Sequence, residues 1–447
     1  MDEWDRWDQL REPIYPSSFI LYPFLPDATT ICEPDSPMPD LTGIHVLLVP
    51  SWWPSPEQPI SGIFFADYAR AYAAAGAKVG VVFPDLVSLR YLGRGTRIPW
   101  VPRLLHEDLT GVPVVRVRGL HTAFGRPALQ MHRYRCWLRR GLQAYSARHG
   151  SPDILHAMCA IPAGWACTHL QDPLAARVVV TEHTGPFSLV LGPRAGEEYV
   201  RAALAKAVTV AAVSEPLRQD MLAASIARDI EVIPNPVVGD FAATAPPPVA
   251  RDDRGRSIHR AIFVGRLTEL KGIRELIEAA LRLARQDRSL IHWHVAGYGP
   301  LESEMRDRFA AAGIGDRLIL HGLCDKPTVA RLVRESHFLV LPSHGENCPL
   351  AICEALSIGR PVVATDVPGC KALVGEGDGV LARVRDAASL AETIGRLVAE
   401  YERWDWRAVA ARAGERFSGP AVAGQYADLF RRVLNGNTGR SGDACVE

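Results

Sequence analysis

Short apolar runs alternate with longer amphipathic ones along most of the chain. "IHVLLVP" (44–50) is apolar throughout, as a strand covered on both faces of a parallel sheet is. After the loop "SWWPSPEQPISG", the alanine- and aromatic-rich "IFFADYARAYAAAG" reads as a helix closed by Gly76, and "KVGVVFP" (78–84) as the next strand of a βαβ unit. Further strand-like runs lie at 112–117, 153–158, 176–183, 208–214 and 230–236, several of them separated by helical stretches. The alternation pauses at "DFAATAPPPVARDDRGRS" (240–257), whose proline, alanine and charge suit a linker. It resumes with strands predicted at 260–265, 291–297, 318–322, 338–343 and 361–365, and helices at 272–285, 300–312, 326–335 and 349–358. This pattern predicts an α/β protein with two Rossmann-like, doubly wound halves and a cleft between them.

Length agrees, because 447 residues exceed what one core organises. The predicted divisions are a leader without periodicity at 1–42, a first domain at 43–240, the linker at 241–257 and a second domain at 258–416. A last helix at about 417–436 is expected to cross back to the first domain, ahead of a disordered tail at 437–447. Lys plus Arg and Asp plus Glu each total 50, which removes any global electrostatic case for nucleic acid as partner. The nine cysteines form no CxxC pair and read as free thiols of a reducing compartment. The acidic start, "MDEWD", and the lack of a membrane-length apolar run point to a cytoplasmic protein, at most peripheral on the inner face of a membrane.

Candidate chemistry sits where strands end. In "VGRLTELKG", Arg266 follows a strand and Lys271 precedes a helix, so two cations and a helix N-terminus suit a diphosphate, although two solvated surface charges would give the same pattern. In "FLVLPSHGENCPLAICEALSIGRPVVAT", Glu346 lies in the loop after a strand. Asn347, Cys348, Pro349 and Leu350 then lead into a helix whose amides can face phosphate oxygens. Glu354, on that helix, can accept hydrogen bonds from vicinal hydroxyls such as those of a ribose, or simply stabilise the helix dipole. The stretch 126–150 is rich in arginine and holds no acid, so Arg133, Trp137, Arg139 and Arg140 become candidates for contact with an anionic membrane. The same pattern fits a helix packed on the core with a solvated basic face.

Together with "HVAGYGPLE", "HGLCD" and "VLPS", these motifs resemble the donor-binding half of the retaining nucleotide-sugar glycosyltransferases of the GT-B fold, the family 4-like and group 1 enzymes. "DILHAMCAIPAGWA", "TEHTGPFS" and "VIPNPV" extend the likeness to the first half. The resemblance implies that Arg266 and Lys271 neutralise the donor diphosphate and that Glu354 binds its ribose. Glu346 and the residues Asn347 to Leu350 would then address the transferred sugar and its phosphate. It also implies that Gly62 lets backbone approach the phosphates, that His183 lines the site near the reacting sugar, and that Leu323 and Cys324 lie near the base. No metal and no cofactor is expected, since cationic side chains and amides replace a divalent ion. The substrates implied are a nucleotide-sugar donor, UDP- or GDP-linked, and a sugar or lipid-linked sugar acceptor.

The chain departs from the family pattern at Met158, where a second histidine is common after His156, at Ala372, where a glutamate is common, and at Tyr298, which replaces an acid. Two other classes therefore stay open: a non-hydrolysing nucleotide-sugar epimerase of the same architecture, and a degenerate protein that binds nucleotide sugars without turnover.

Overall fold

A computed structural model of the protein describes residues 40–436 except 59, 90–98, 122–125, 172–176, 192–194, 227–228 and 287–289. The predicted leader, apart from its last residues, and the predicted tail fall outside the described residues. The chain divides into two compact units. One runs to Pro236 and takes up the chain again from Val422, and the other is Val237–Ala421.

The first unit holds strands β1 (His45–Pro50), β2 (Lys78–Ser88), β3 (Arg103–Leu109), β4 (Val112–His121), β5 (Ile154–Met158), β6 (Val178–Glu182), β7 (Thr209–Ala212) and β8 (Ile230–Val232). They pair in the order β3-β4-β2-β1-β5-β6-β7-β8. All neighbours are parallel except β3, which folds back on β4 as a hairpin. Every residue of β1 and β5 is buried, as their mainly apolar sequence requires, His45 and His156 included. β3, "RLLHEDL", is largely exposed at the sheet edge and carries no apolar run, so periodicity could not announce it.

The arginine-rich helix Pro127–His149 turns Met131, Tyr134, Trp137, Leu138, Leu142 and Tyr145 inward against β2 and β4. Trp137, expected at a membrane, is thus a core residue; the helix spends its apolar face on the sheet. Arg139 and Arg140 remain exposed, whereas Arg133 is half-buried. The last helix, Gly419–Leu434, lies in this unit from Val422 onward and packs the rings of Tyr426 and Phe430 against Tyr72 and His156, edge-on or tilted.

The second unit holds β9 (Ala250–Arg251), β10 (Ser257–Val264), β11 (Leu290–Ala296), β12 (Leu318–Gly322), β13 (Phe338–Leu341), β14 (Val362–Thr365) and β15 (Gly379–Ala382). The parallel order is β12-β11-β10-β13-β14-β15, with β9 antiparallel against the start of β10. The amphipathic helices Ile273–Gln286 and Ala387–Ala399 pack together over this sheet. Among the described residues no helix is long and apolar enough to cross a membrane.

Arg360 organises the second unit from within. Its guanidinium is fully buried and faces carbonyls only, donating to those of Ser336, Arg334, Thr244, Ala245 and Ile358. Burial pulls its pKa down to about 10, which still leaves it charged at neutral pH. Two of the accepting carbonyls, Thr244 and Ala245, lie in the proline-rich stretch read as a linker. That stretch is therefore tied to this core through one side chain. Arg360→Met is expected to leave these acceptors unsatisfied and to cost about 3–5 kcal/mol, read as a shift of the urea denaturation midpoint. A cost below about 1 kcal/mol would contradict the role.

Candidate functional site

In the second unit the chain runs from β10 outward through β11 and β12, then returns to the other side of β10 as β13. β10 and β13 are therefore the topological switch point of this sheet, and open α/β sheets bind ligands at the strand C-termini of such a point. The loops after both strands carry residues singled out from sequence.

The β10 loop ends in a turn Glu269–Lys271 closed by Gly272, whose φ is +67°. A Cβ at Gly272 would come within 1.9 Å of the Pro342 carbonyl oxygen, so only glycine lets the loop dock on the end of β13. The His344 amide donates to the Leu270 carbonyl at 2.8 Å and joins the same two loops. This docking brings Lys271 Nζ to 2.5 Å from Glu346 Oε1, while the Ser343 hydroxyl donates to the same oxygen at 2.6 Å. Ser343 is held in turn by the Thr365 hydroxyl, which donates to its carbonyl. Arg266 begins the loop that Lys271 ends, and its carbonyl accepts from the Thr268 amide.

Beyond Glu346, the segment Asn347–Pro349 enters the helix Leu350–Ile358, whose first turn contains no acid. Cys348, in the loop, and Cys353, on the helix, share a hydrogen bond that pushes the Cys353 thiol well up, with burial adding to the effect. All seven cysteines among the described residues are free thiols. Glu354 is buried on this helix, with Lys326 Nζ 3.9 Å from its Oε1 and also over the Phe241 ring. Lys326, at the start of the helix Lys326–Arg334, escaped the sequence reading because only folding brings it to Glu354. Leu323 and Cys324 lie just before that helix and are half-buried.

The first unit has its own switch, between β1 and β5. Gly62 lies in the loop after β1 with φ +68°. A Cβ there would lie 2.4 Å from the Trp52 carbonyl oxygen and 2.8 Å from the Trp52 ring. The chain's own loop thus demands this glycine, whatever a phosphate requires. Just beyond it, Phe64 and Phe65 pack on the ring of His183.

His183 follows β6 on a turn built by Glu182, which the sequence reading passed over. The buried Glu182 carboxylate accepts from the amides of Ala160 (2.8 Å), His183 (3.0 Å) and Thr184 (2.8 Å). The His183 Nδ1 lies 3.2 Å from Asn235 Oδ1, and burial pulls the ring's pKa down to about 3. His156 is wholly interior, bonded to Tyr72 and Thr181, in keeping with a structural role. Met158 is fully buried at the end of β5, so the position where relatives often carry a second histidine is closed to solvent.

Residues 61–241 match the family described as Glycosyltransferase Family 4, and residues 258–400 the family described as Glycosyl transferases group 1. A D-inositol 3-phosphate glycosyltransferase of Geodermatophilus obscurus is 30% identical over 370 residues, covering 75% of this chain and 80% of its own. The glycosyltransferase TuaC of Bacillus subtilis, named for teichuronic acid biosynthesis, is 26% identical over 361 residues, 79% of this chain and 89% of its own. Among solved structures, sucrose-phosphate synthase of Thermosynechococcus elongatus superposes with a TM-score of 0.64 at 20% identity, covering 88% of this chain and 100% of that one. Anabaena HepE, solved with UDP, superposes with a TM-score of 0.60 at 18% identity, over 87% of this chain and 100% of that one. Two parallel-sheet units, matched in turn by these two family descriptions and jointly by a relative 30% identical over 75% of the chain, place the chain among the GT-B glycosyltransferases of the family 4 and group 1 type.

Proposed function

We propose that the protein is a retaining glycosyltransferase that moves a sugar from a nucleotide diphosphate sugar to a hydroxyl acceptor, in assembly of a cell-surface polysaccharide or glycolipid. The observation that carries this reading is the meeting of Lys271 and Glu346 across the β10–β13 switch. A diphosphate entering there takes over the Lys271 ammonium and frees Glu346 for sugar hydroxyls. The pair is partly exposed, so little stability is lost when it exchanges for a ligand. Arg266 and the amides of Asn347 to Leu350 add positive potential as the leaving group departs, and Glu354 addresses the ribose. The departing phosphate accepts the acceptor's proton in a front-face displacement, so the chain supplies no covalent nucleophile.

The relatives' names support a hydroxyl acceptor, since one is named for teichuronic acid biosynthesis and another for D-inositol 3-phosphate. HepE was solved with UDP and glucose, which favours a UDP-sugar as donor. Lysine and arginine at the crevice make a metal-independent reaction the natural reading. An epimerase or a silent binding protein finds less support, because the relatives cited are named as transferases. Contact with an anionic membrane, if made, is electrostatic and runs through the exposed Arg139 and Arg140, because Trp137 is inside.

In a thermal-shift panel of UDP-, GDP- and ADP-sugars, one donor at 100-fold over its Kd is expected to stabilise the protein by about 2.7 kcal/mol. Lys271→Ala and Glu354→Ala are each expected to weaken that donor at least about tenfold, roughly 1.4 kcal/mol. Unchanged shifts in both variants would remove the site from this crevice. With the donor identified, nucleoside diphosphate release is expected only when an envelope-glycan acceptor is added, EDTA leaving the rate unchanged and the product keeping the donor's anomeric configuration. Release without acceptor, accompanied by an epimerised sugar, would favour the epimerase class. Pelleting with anionic vesicles is expected to fall with salt and with Arg139→Glu plus Arg140→Glu; no binding even at low salt excludes the contact.

A further inference from the structure

Two large apolar side chains of the first unit stand mostly in solvent: Trp100 is 78% exposed and Val101 72%. Their backbone is not slack. Prolines flank them in "PWVP" and restrict the chain on both sides, and the carbonyl of each proline is bonded to the body of the unit. The Leu120 amide, in β4, donates to the Pro99 carbonyl at 3.2 Å, and Arg140 Nη1 donates to the Pro102 carbonyl at 3.0 Å. A Cβ at Gly119 would lie 3.1 Å from Pro102 Cα and 2.8 Å from the Trp137 ring, so glycine lets both this turn and the helix Pro127–His149 settle on β4. The tip is thus fixed at both ends while its apolar side chains face water, an exposure that calls for a partner.

The surroundings carry one sign of charge. From Leu109 to Pro152 the sequence holds eight arginines, no lysine and no acid, in a chain of zero formal net charge. Arg116 and Arg118 are neutralised inside by Asp85, Glu57 and Glu107. Arg126, Arg139 and Arg140 are exposed, as is Arg103 beside the tip. The nearest acids in sequence lie toward the other end of β3, where Glu107 pairs with Arg116 and Asp108 accepts from the Gly111 amide in the turn to β4. A tryptophan set among guanidinium groups matches the boundary between anionic headgroups and acyl chains.

The strand order places this tip on the ligand side of the unit. β1, β2 and β4 are parallel, so the end of β4 beside the tip shares an edge with the end of β1, where the Gly62 loop begins. Tyr134, on the arginine-bearing helix, donates to the carbonyl of Pro50, the last residue of β1, at 2.7 Å, so that helix reaches the same edge.

We propose that Trp100 and Val101 form an apolar anchor that inserts into an anionic bilayer, with Arg103, Arg139 and Arg140 on the headgroups. The anchor adds an apolar part to the electrostatic contact drawn above, on which it rests. It also turns the ligand-binding edge of the first unit toward the membrane, which favours a lipid-linked acceptor presented at that surface.

The test is co-sedimentation of the full-length protein with phosphatidylcholine–phosphatidylglycerol vesicles, at low salt and at about 0.5 M salt, where screening removes most of the headgroup attraction. Wild type is expected to keep part of its binding at the higher salt. Trp100→Ala with Val101→Ser is expected to lose that part and to bind about tenfold more weakly at low salt, while Trp100→Phe restores most of it. Brominated acyl chains are expected to quench the tryptophan fluorescence of wild type more than that of Trp100→Phe. Both side chains lie in solvent, so the variants are expected to keep the wild-type denaturation midpoint, which separates lost binding from unfolding. Equal sedimentation of wild type and the double variant at both salts, with equal quenching, overturns the anchor and leaves the electrostatic contact standing. No binding of wild type even at low salt removes both. A dimer that the double variant turns into a monomer, without quenching by bromine, would show a second copy of the chain on the tip and likewise overturns the proposal.

Discussion

The proposed chemistry of the second unit depends on one contact, the ion pair between Lys271 and Glu346. It exists because β10 and β13 are sheet neighbours although three α-helices and two strands separate them in sequence, so their loops open side by side. Gly272 converts that topology into proximity, since any side chain there would push the Lys271 loop away from Pro342. A lysine and a glutamate in contact within a half-open crevice form a site that is already polarised. An anion can draw on the ammonium while hydroxyls draw on the carboxylate, and the Ser343 hydroxyl keeps the carboxylate aimed throughout.

The first unit solves a different problem, that of holding an uncharged ring in one orientation. His183 stands at a strand end against the rings of Phe64 and Phe65, on a backbone gripped by the Glu182 carboxylate. An interior of tyrosines, a threonine and an asparagine would be costly if its hydroxyls lacked partners. Hydrogen bonds of Tyr72 and Thr181 to His156, and of Thr181 to Tyr426, supply partners there and tie the returning helix Gly419–Leu434 to the sheet.

Much of this was legible from the chain. "IHVLLVP" and "FLVLPS" declare buried parallel strands because both their faces are apolar, and Lys271, Glu346 and Glu354 stand out because each follows a strand end. What stayed hidden depends on distant chain segments. Lys326 meets Glu354, and Asn235 meets His183, only after the sheets assemble, so no spacing reports them. β3 was missed because an edge strand that faces solvent needs no apolar pattern. Trp137 was misplaced because an amphipathic helix shows that one face is covered without showing by what. Gly62 was noticed for a ligand-based reason, and the nearer cause proved to be the Trp52 carbonyl.

The central claim is that the β10–β13 crevice receives a pyrophosphate. Crystals of the protein grown with the preferred nucleoside diphosphate test it most directly. The account predicts the two phosphates between the Lys271 loop and the Asn347–Leu350 turn, with the Lys271 ammonium shifted from Glu346 onto a phosphate oxygen. Diphosphate bound elsewhere, with the Lys271–Glu346 pair untouched, would contradict it.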